Sequence, residues 1–230
     1  DLRFQRTYQY CNQYVVSGGV VGAVLGGAGK LGVGIQHGFA PISKPRQITR
    51  AHANVLMEID HQPATSVYEE YFGADLVQRM RRDGLSRQGI AFPLGIQQDT
   101  DNQWLLRNVV SVQDDGSLSC SGELAEGSWL QLMIGNRELA LEAARRAAQD
   151  AVQSLNHVAA VLVFDSATRR RLLGSQHAAM DIDAIRQIIG PQVPLAGCYT
   201  YGEQAPMGQV TTVGRTAIQT GSVLVVALGT

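Results

Sequence analysis

The chain is built around the stretch LAGCYTYGE, residues 195–203. An apolar run that begins at Val193 ends here in two tyrosines, a glycine and the carboxylate of Glu203. A buried strand shows this change where it leaves the core and presents polar groups at the edge of a sheet. The sequence therefore predicts a strand at residues 193–198 with a polar site at its end.

A neighbouring strand is predicted for residues 158–164, which are apolar throughout, as is typical of a central strand covered on both faces. Between the two strands, Asp181 caps a helix with isoleucines at helical spacing, and Gly190 and Pro191 end it. The order strand, helix, strand predicts a parallel pair joined by a crossover. The carboxyl ends of both strands then lie at the same edge of the sheet.

Seven residues at that edge form a candidate ligand site, because ligands in such sheets commonly bind outside the carboxyl ends of the strands. Arg169 would fork onto a carboxylate and Glu203 would hold an ammonium group, which suits a small zwitterion such as an amino acid. The alternative is that Arg169 and Glu203 pair with each other or with solvent. The candidate ligand-binding residues are Asp165, Ser166, Arg169, Tyr199, Tyr201, Gly202 and Glu203.

The first part of the chain predicts strands followed by helices. Residues 14–38 alternate small and branched side chains around the glycines of residues 26–29, which indicates a hairpin. Two strands follow at residues 48–60. A helix then begins at Pro63, since proline favours the first helical position, and ends at Gly73.

The middle of the chain predicts a short helix and then several strands. The helix covers residues 74–82 and ends at Gly84. Four strand-like segments between residues 90 and 134 follow, the first of them at residues 90–94, and an Asp-Gly pair at residues 115–116 indicates a hairpin. Together these segments predict a β-meander. Its predicted core residues are Trp104, Trp129 and Met133.

A long helix is predicted for residues 137–153, with Asn136 as its N-cap. Alanines recur along one side of this helix at helical spacing, and such small side chains allow close packing on a sheet. The predicted fold class is therefore α+β, with mixed β-sheets, helices packed on their faces and one parallel βαβ unit.

The composition excludes several classes of partner. A net charge of -1 provides no basic surface for nucleic acid, and the run of arginines at residues 169–171 is interpreted as a solvated helix face. Three widely spaced cysteines predict neither a disulfide framework nor a zinc site, which favours a reducing, cytoplasmic location. No uncharged apolar stretch is long enough to span a bilayer.

No catalytic residue and no metal site is predicted, and we expect no enzyme. Residues 27–32 match the dinucleotide fingerprint formally, but Gly34 and Gly38 disfavour the helix that this motif requires. The alternative is a small hydrolase or transferase with Cys198 as the nucleophile, for which His177 is the nearest histidine in the sequence. Cys198 is interpreted instead as a buried packing residue.

Four motifs in this order resemble the C-terminal domain of the FIST family, the F-box and intracellular signal transduction proteins. They lie at residues 48–68, 163–174, 197–203 and 223–228. The resemblance assigns residues 41–230 to a C-terminal FIST domain and residues 1–40, as a β-hairpin, to the tail of an N-terminal FIST domain. Ser166 stands where the family's middle motif commonly has Cys, and residues 219–220 are Gln-Thr where an Asn is usual.

The resemblance implies a bacterial sensory domain that binds a small ligand, such as an amino acid, and regulates a signalling protein. Histidine kinases, chemotaxis receptors and cyclic-dinucleotide enzymes are the partners that the family implies. Some members are haem proteins that respond to nitric oxide, so a haem-based sensor is the alternative, with His37 as the candidate axial ligand. Otherwise we expect no cofactor.

Overall fold

The computed structural model describes residues 6–83, 90–98, 104–206 and 216–230. Over these ranges the chain forms five helices and seventeen strands, and the predicted α+β class is confirmed. The helices are α1 (Ser66–Phe72), α2 (Ala74–Asp83), α3 (Arg137–Val152), α4 (Ala167–Leu173) and α5 (Met180–Ile189). The strands are β1 (Gln9–Cys11), β2 (Tyr14–Val16), β3 (Lys30–Gln36), β4 (Phe39–Pro41), β5 (Arg46–His52), β6 (Val55–Ile59), β7 (Gln62–Pro63), β8 (Leu94–Gln97), β9 (Trp104–Arg107), β10 (Val109–Val112), β11 (Leu118–Cys120), β12 (Trp129–Gly135), β13 (Val158–Ser166), β14 (Leu195–Thr200), β15 (Glu203–Pro206), β16 (Thr216–Gln219) and β17 (Val223–Gly229).

A four-stranded sheet positions the candidate site. Its strand order is β14-β13-β17-β3, in which β13 and β14 are parallel and the other neighbours are antiparallel. The parallel register places Val161 opposite Leu195 and Ser166 opposite Thr200. Helices α4 and α5 lie between the two parallel strands in the chain, so the predicted βαβ unit is confirmed.

Helix α3 approaches this sheet closely because both surfaces carry small side chains. A Cβ atom on Gly34 would lie 2.0 Å from the carbonyl oxygen of Ala147, so the contact requires glycine on the strand. At the start of the helix, the Asn136 side chain accepts a hydrogen bond from the backbone nitrogen of Leu139 at 2.8 Å, which confirms the predicted cap. The alanines on the sheet side are all buried: Ala140, Ala143, Ala144, Ala147, Ala148 and Ala151.

The opposite face of the four-stranded sheet is apolar, and within the described ranges no helix packs on it. The prediction that residues 158–164 are covered on both faces is therefore wrong. Val161 and Val163 are buried under the helices, while Leu162 and Phe164 on the other face are partly exposed. We call this second surface the open face. It comprises Leu31, Val33, Ile35, Ala160, Leu162, Phe164, Ala196, Cys198, Leu224, Val226 and Leu228.

A nine-stranded antiparallel sheet forms a second core. Its main path is β10-β11-β6-β5-β12-β8-β9, with β4 on β12 and β7 on β6, and α1 and α2 contribute side chains to the same core. The Asp115-Gly116 turn joins β10 to β11 as predicted. The predicted β-meander is wrong, because β11 pairs with β6 and β12 pairs with β5, both from an earlier part of the chain.

The predicted glycine hairpin at residues 14–38 is also wrong. Its second half is β3, but β3 pairs with β17 at the other end of the chain, and residues 17–29 form neither strand nor helix. The turn that does form lies between β1 and β2, where Asn12 has a φ of 52°. Residues 26–29 are mostly glycine, which has no side chain for cross-strand packing. Strand β3 therefore pairs with the apolar strand β17 and not with the residues before the glycines.

Three boundaries near the helices differ from the prediction. Helix α5 begins at Met180, so Asp181 lies in its first turn and does not cap it. Pro63 lies in β7, where it pairs with Glu58 of β6, and does not begin a helix. Helix α1 begins at Ser66. Residues 90–91 are helical, and the predicted strand at residues 90–94 begins only at Leu94. Gly84, the predicted end of the second helix, lies outside the described residues.

The three predicted core residues of this region have different surroundings. Met133 is fully buried and Trp104 is partly buried beside it. Trp129 is 49% exposed, so its predicted place in the core is wrong. Trp129 is the first residue of β12, where the strand leaves the solvent, and its ring therefore stays at the surface.

Candidate functional site

A cleft opens at the carboxyl end of the parallel strand pair, where the sequence predicts a ligand site. Helix α4 follows β13 directly and forms one wall, and the end of β14 forms the other. The volume of the cleft is about 420 Å³, which falls within the range of small-molecule sites. The lining residues are Ala167, Arg170, Arg171, Gly174, Ser175, Tyr199 and Tyr201.

The cleft carries positive charge and aromatic surface. The guanidinium carbon of Arg170 lies 5.1 Å from the ring centroid of Tyr199, a cation–π contact that holds both side chains at the wall. Burial and the carboxyl group of Asp165 raise the pKa of Tyr199, so its hydroxyl stays protonated and can donate. Two arginines and no acid among the described lining residues make this cleft suited to an anionic group.

Arg169 lies on the inner side of α4 and is fully buried. Its Nε donates to Asp165 at 3.0 Å, and its Nη2 donates to Asp181 at 2.8 Å. The guanidinium also donates to the backbone carbonyls of His37 at 3.1 Å and Ala140 at 2.9 Å. All three nitrogens are therefore engaged within the protein, and Arg169 connects α4 with β13, α5, α3 and the end of β3.

Glu203 is buried behind the cleft, with 2% of its surface exposed. The Thr200 hydroxyl lies within hydrogen-bond distance of both the Glu203 carboxyl and the backbone carbonyl of Asp165. A hydroxyl has one proton and cannot donate to both acceptors. A proton on the Glu203 carboxyl could be donated to the Thr200 oxygen, while Thr200 donates to the Asp165 carbonyl. Burial raises the pKa of Glu203 to about 7, which agrees with this arrangement.

We call Asp165, Asp181, Glu203 and Arg169 the carboxyl cluster. Burial raises the pKa of Asp165 to about 7 and also raises that of Asp181, even though Arg169 favours their charged forms. Among the residues that the structure describes, no group donates to Asp181 Oδ2 or Glu203 Oε2. Three carboxyls share one buried cation, so the cluster binds protons near neutral pH.

The remaining predicted ligand residues have backbone roles. Ser166 is buried, and its Oγ accepts a hydrogen bond from the backbone nitrogen of Gly221 at 3.1 Å. Gly202 lies in the turn beside the backbone of Gln219. Of the seven predicted residues, the structure places Tyr199 and Tyr201 at the cleft and the other five behind it or in the turn.

Arg170 and Arg171 line the cleft but are not among the seven predicted ligand residues. The interpretation of the arginine run as a solvated helix face holds for Arg170 and Arg171, which are exposed, and is wrong for Arg169, which is buried. Consecutive residues of a helix point about 100° apart, so neighbouring arginines can face the core and a cleft at once. The signal was the position of the run, directly after the end of a predicted parallel strand.

His37, the candidate haem ligand, accepts a hydrogen bond at Nδ1 from the backbone nitrogen of Phe39 at 3.0 Å. Its ring proton is then on Nε2, and burial together with Arg169 lowers the pKa of His37 to about 4. A neutral ring in this tautomer has no free lone pair for a metal. This hydrogen bond disfavours His37 as an axial ligand, and haem binding stays a prediction.

Cys198 is exposed on the open face, so its interpretation as a buried packing residue is wrong. It lies opposite Phe164 on the neighbouring strand. In the described ranges, no three side chains of His, Cys, Asp or Glu gather as a metal site would require. None of the helices described is long and apolar enough to cross a membrane.

Two protein-family models match successive parts of the chain. The FIST C domain model matches residues 64–206, and the FIST N domain model matches residues 1–62. The chain belongs to the FIST family. No curated protein and no solved structure matches it. FIST domains are sensory domains of signal transduction, and the cleft lies within the FIST C match.

The FIST N match ends well beyond the predicted boundary between residues 40 and 41, and that boundary stays a prediction. The matched N-terminal residues contribute strands to both sheets. Strand β3 completes the four-stranded sheet, while β5 and β6 lie in the nine-stranded sheet beside strands of the FIST C match.

Proposed function

We propose that this FIST chain is a sensory domain that binds a small carboxylate ligand in the cleft and regulates a signalling protein. The observation that carries the proposal is the stacking of Arg170 on Tyr199 at the carboxyl end of the parallel strands. An arginine held against an aromatic ring is ordered before the ligand arrives, so less side-chain entropy is lost on binding.

The two walls of the cleft would contact different parts of the ligand. Helix α4 supplies Arg170 and Arg171 for the carboxylate, and β14 supplies the ring of Tyr199 for the apolar part of the ligand. Amino acids remain candidates, although the described lining has no carboxylate for their ammonium group. Simple organic acids satisfy this lining more fully than zwitterions do.

The route from the cleft to the rest of the domain runs through one turn. Tyr199 and Tyr201 lie at the cleft, and Thr200 between them lies within reach of Glu203 and the Asp165 carbonyl. Movement of the tyrosines on binding would shift Thr200 and thereby the carboxyl cluster. The resemblance to family members favours a histidine kinase, a chemotaxis receptor or a cyclic-dinucleotide enzyme as the protein that responds.

A thermal-shift screen with amino acids and small organic acids tests the proposal. A ligand present at 100 times its Kd stabilises the native state by about 2.7 kcal/mol, which raises the Tm measurably. We expect Arg170→Ala to abolish the shift. Arg146→Ala, which removes an exposed arginine on α3, is the control and should keep it. A shift that survives Arg170→Ala, or no shift across the panel, would contradict the proposal.

A further inference from the structure

The open face is a continuous apolar surface on an otherwise well-packed sheet. Its eleven residues come from all four strands, and none of them is charged. Among the described residues, the helices cover the opposite face alone, where Val161, Val163 and Val225 are almost completely buried. Soluble proteins rarely leave contiguous apolar patches of more than a few hundred square ångströms in water, and such patches mark interaction surfaces.

A second apolar surface lies in the same chain, just before β3. We call residues 6–29 the arm. Strands β1 and β2 of the arm contact each other, while the exposure of Val20 is 97% and that of Val24 is 98%. Its exposed apolar residues are Tyr8, Tyr10, Tyr14, Val15, Val16, Val20, Val21, Val24 and Leu25.

The open face of the same molecule is exposed at Leu31, Ala196 and Cys198, and its other eight residues are partly exposed. Leu31, the first open-face residue after the arm, has an exposure of 53%. The two surfaces are joined at Lys30, which begins the edge strand β3. A chain that carries an apolar face and an apolar arm beside it has both halves of a self-complementary interface.

We propose that the open face is the interface between two copies of this chain. The two four-stranded sheets pack face to face across a two-fold axis, and the arm of each copy lies along the flank of the other. Both open faces are free of charge, so they meet without the cost of desolvating charged groups.

The size of the face explains why the arm takes part. Four strands about 4.8 Å apart, each contributing six residues of about 3.3 Å, cover roughly 400 Å². Two such faces provide roughly 800 Å², whereas stable interfaces bury about 1,200–2,000 Å² in total. The apolar residues of the two arms supply the remaining area.

The first test measures the mass of the full chain in solution by light scattering at micromolar concentration. We expect twice the 24.8 kDa of the single chain. Leu31→Lys should give a monomer, because it places a charge on the open face at a position already half exposed. Ile218→Lys is the matched control, since Ile218 has a similar exposure of 57% but lies in β16, away from the face, and should stay dimeric.

The second test uses the reactivity of the cysteines to report whether the open face is covered. Cys198 lies on the open face, Cys11 lies on the arm and Cys120 is buried within the nine-stranded core. We expect a thiol reagent to label Cys198 slowly in the wild-type dimer and at least tenfold faster in Leu31→Lys. Cys120 should stay unlabelled in both, which reports that the variant is folded.

Three results would overturn the proposal. A wild-type monomer with a reactive Cys198 would leave the face uncovered. A monomer in which Cys198 is protected would mean that something other than a second copy covers it. A dimer that Leu31→Lys leaves intact would place the interface elsewhere on the molecule.

Discussion

The two sides of helix α4 differ in their access to solvent: the inner side is buried in the domain, and the outer side lies at the cleft. On the inner side, Arg169 is fully buried and held by two carboxylates and two carbonyls. On the outer side, the neighbouring Arg170 lies over Tyr199 at the wall of the cleft. Adjacent residues of one type therefore have different purposes, because the inner arginine organises the fold while the outer one is available to a ligand.

Removing the inner charge should have the largest effect. We expect Arg169→Met to lower the free energy of unfolding by roughly 3–5 kcal/mol at neutral pH, because Asp165 and Asp181 lose their buried cation. Urea unfolding measures the loss. The loss should be smaller at pH 5, where the carboxyls are protonated, so the variant can be studied there if it does not fold at pH 7.

Arg170→Met is the matched control for this change. Its side chain belongs to the cleft, so we expect a change within about 1 kcal/mol in the free energy of unfolding. Equal losses for the two variants would contradict the contrast between the two sides of α4.

The carboxyl cluster should also make stability depend on pH, with an intermediate effect. Burial raises the pKa of Asp165 and Glu203 to about 7, so the native state holds protons that the unfolded state releases between about pH 4 and pH 7. The free energy of unfolding therefore falls as the pH rises through this window. Glu203→Gln removes one of the titrating groups and keeps its shape.

We expect the stability of Glu203→Gln relative to the wild type to rise by roughly 2–3 kcal/mol between pH 5 and pH 8. Urea unfolding at several pH values measures this difference. Glu142→Gln, which changes an exposed carboxylate on α3, is the control and should show no such trend. A difference between Glu203→Gln and the wild type that is independent of pH would show that Glu203 does not titrate in this window.

A change confined to the cleft should have the smallest effect on the fold. Tyr199→Phe keeps the ring under Arg170 and removes only the hydroxyl, so we expect the free energy of unfolding to change by less than about 0.5 kcal/mol. The ligand found in the screen should bind several-fold more weakly, because the hydroxyl no longer donates to it. Calorimetric titration measures this affinity, and unchanged binding would place the ligand away from Tyr199.

The sequence was informative where the pattern is local. The Asn136 cap, the alanine side of α3 and the apolar strands of the parallel pair are all visible over a few residues, and the structure contains each of them. The polar edge at residues 199–203 followed from the same reasoning. Hydrophobic periodicity and turn residues act within a single helix, strand or turn, so they can be recognised without knowing which other elements pack against it.

The parts that failed depend on contacts between distant elements. The apolar run of residues 158–164 is the same whether its second face is covered by this chain or left open, and the continuous apolar pattern predicts two covered faces. The run of three arginines likewise gives no sign of which one is buried until the positions of Asp181 and Ala140 are known. Sequence patterns therefore could not predict that Arg169 and Glu203 are buried.

The pairing of β3 with β17 also determines when the domain can be completed during synthesis. Strand β3 leaves the ribosome well before its partner β17, because the FIST C match lies between them. With about 190 residues between them and a synthesis rate of roughly 5–20 residues per second, β3 waits for about 10–40 s without its neighbour. Throughout that time its apolar residues are available to chaperones, and the four-stranded sheet is completed only after all strands of the nine-stranded sheet have been made.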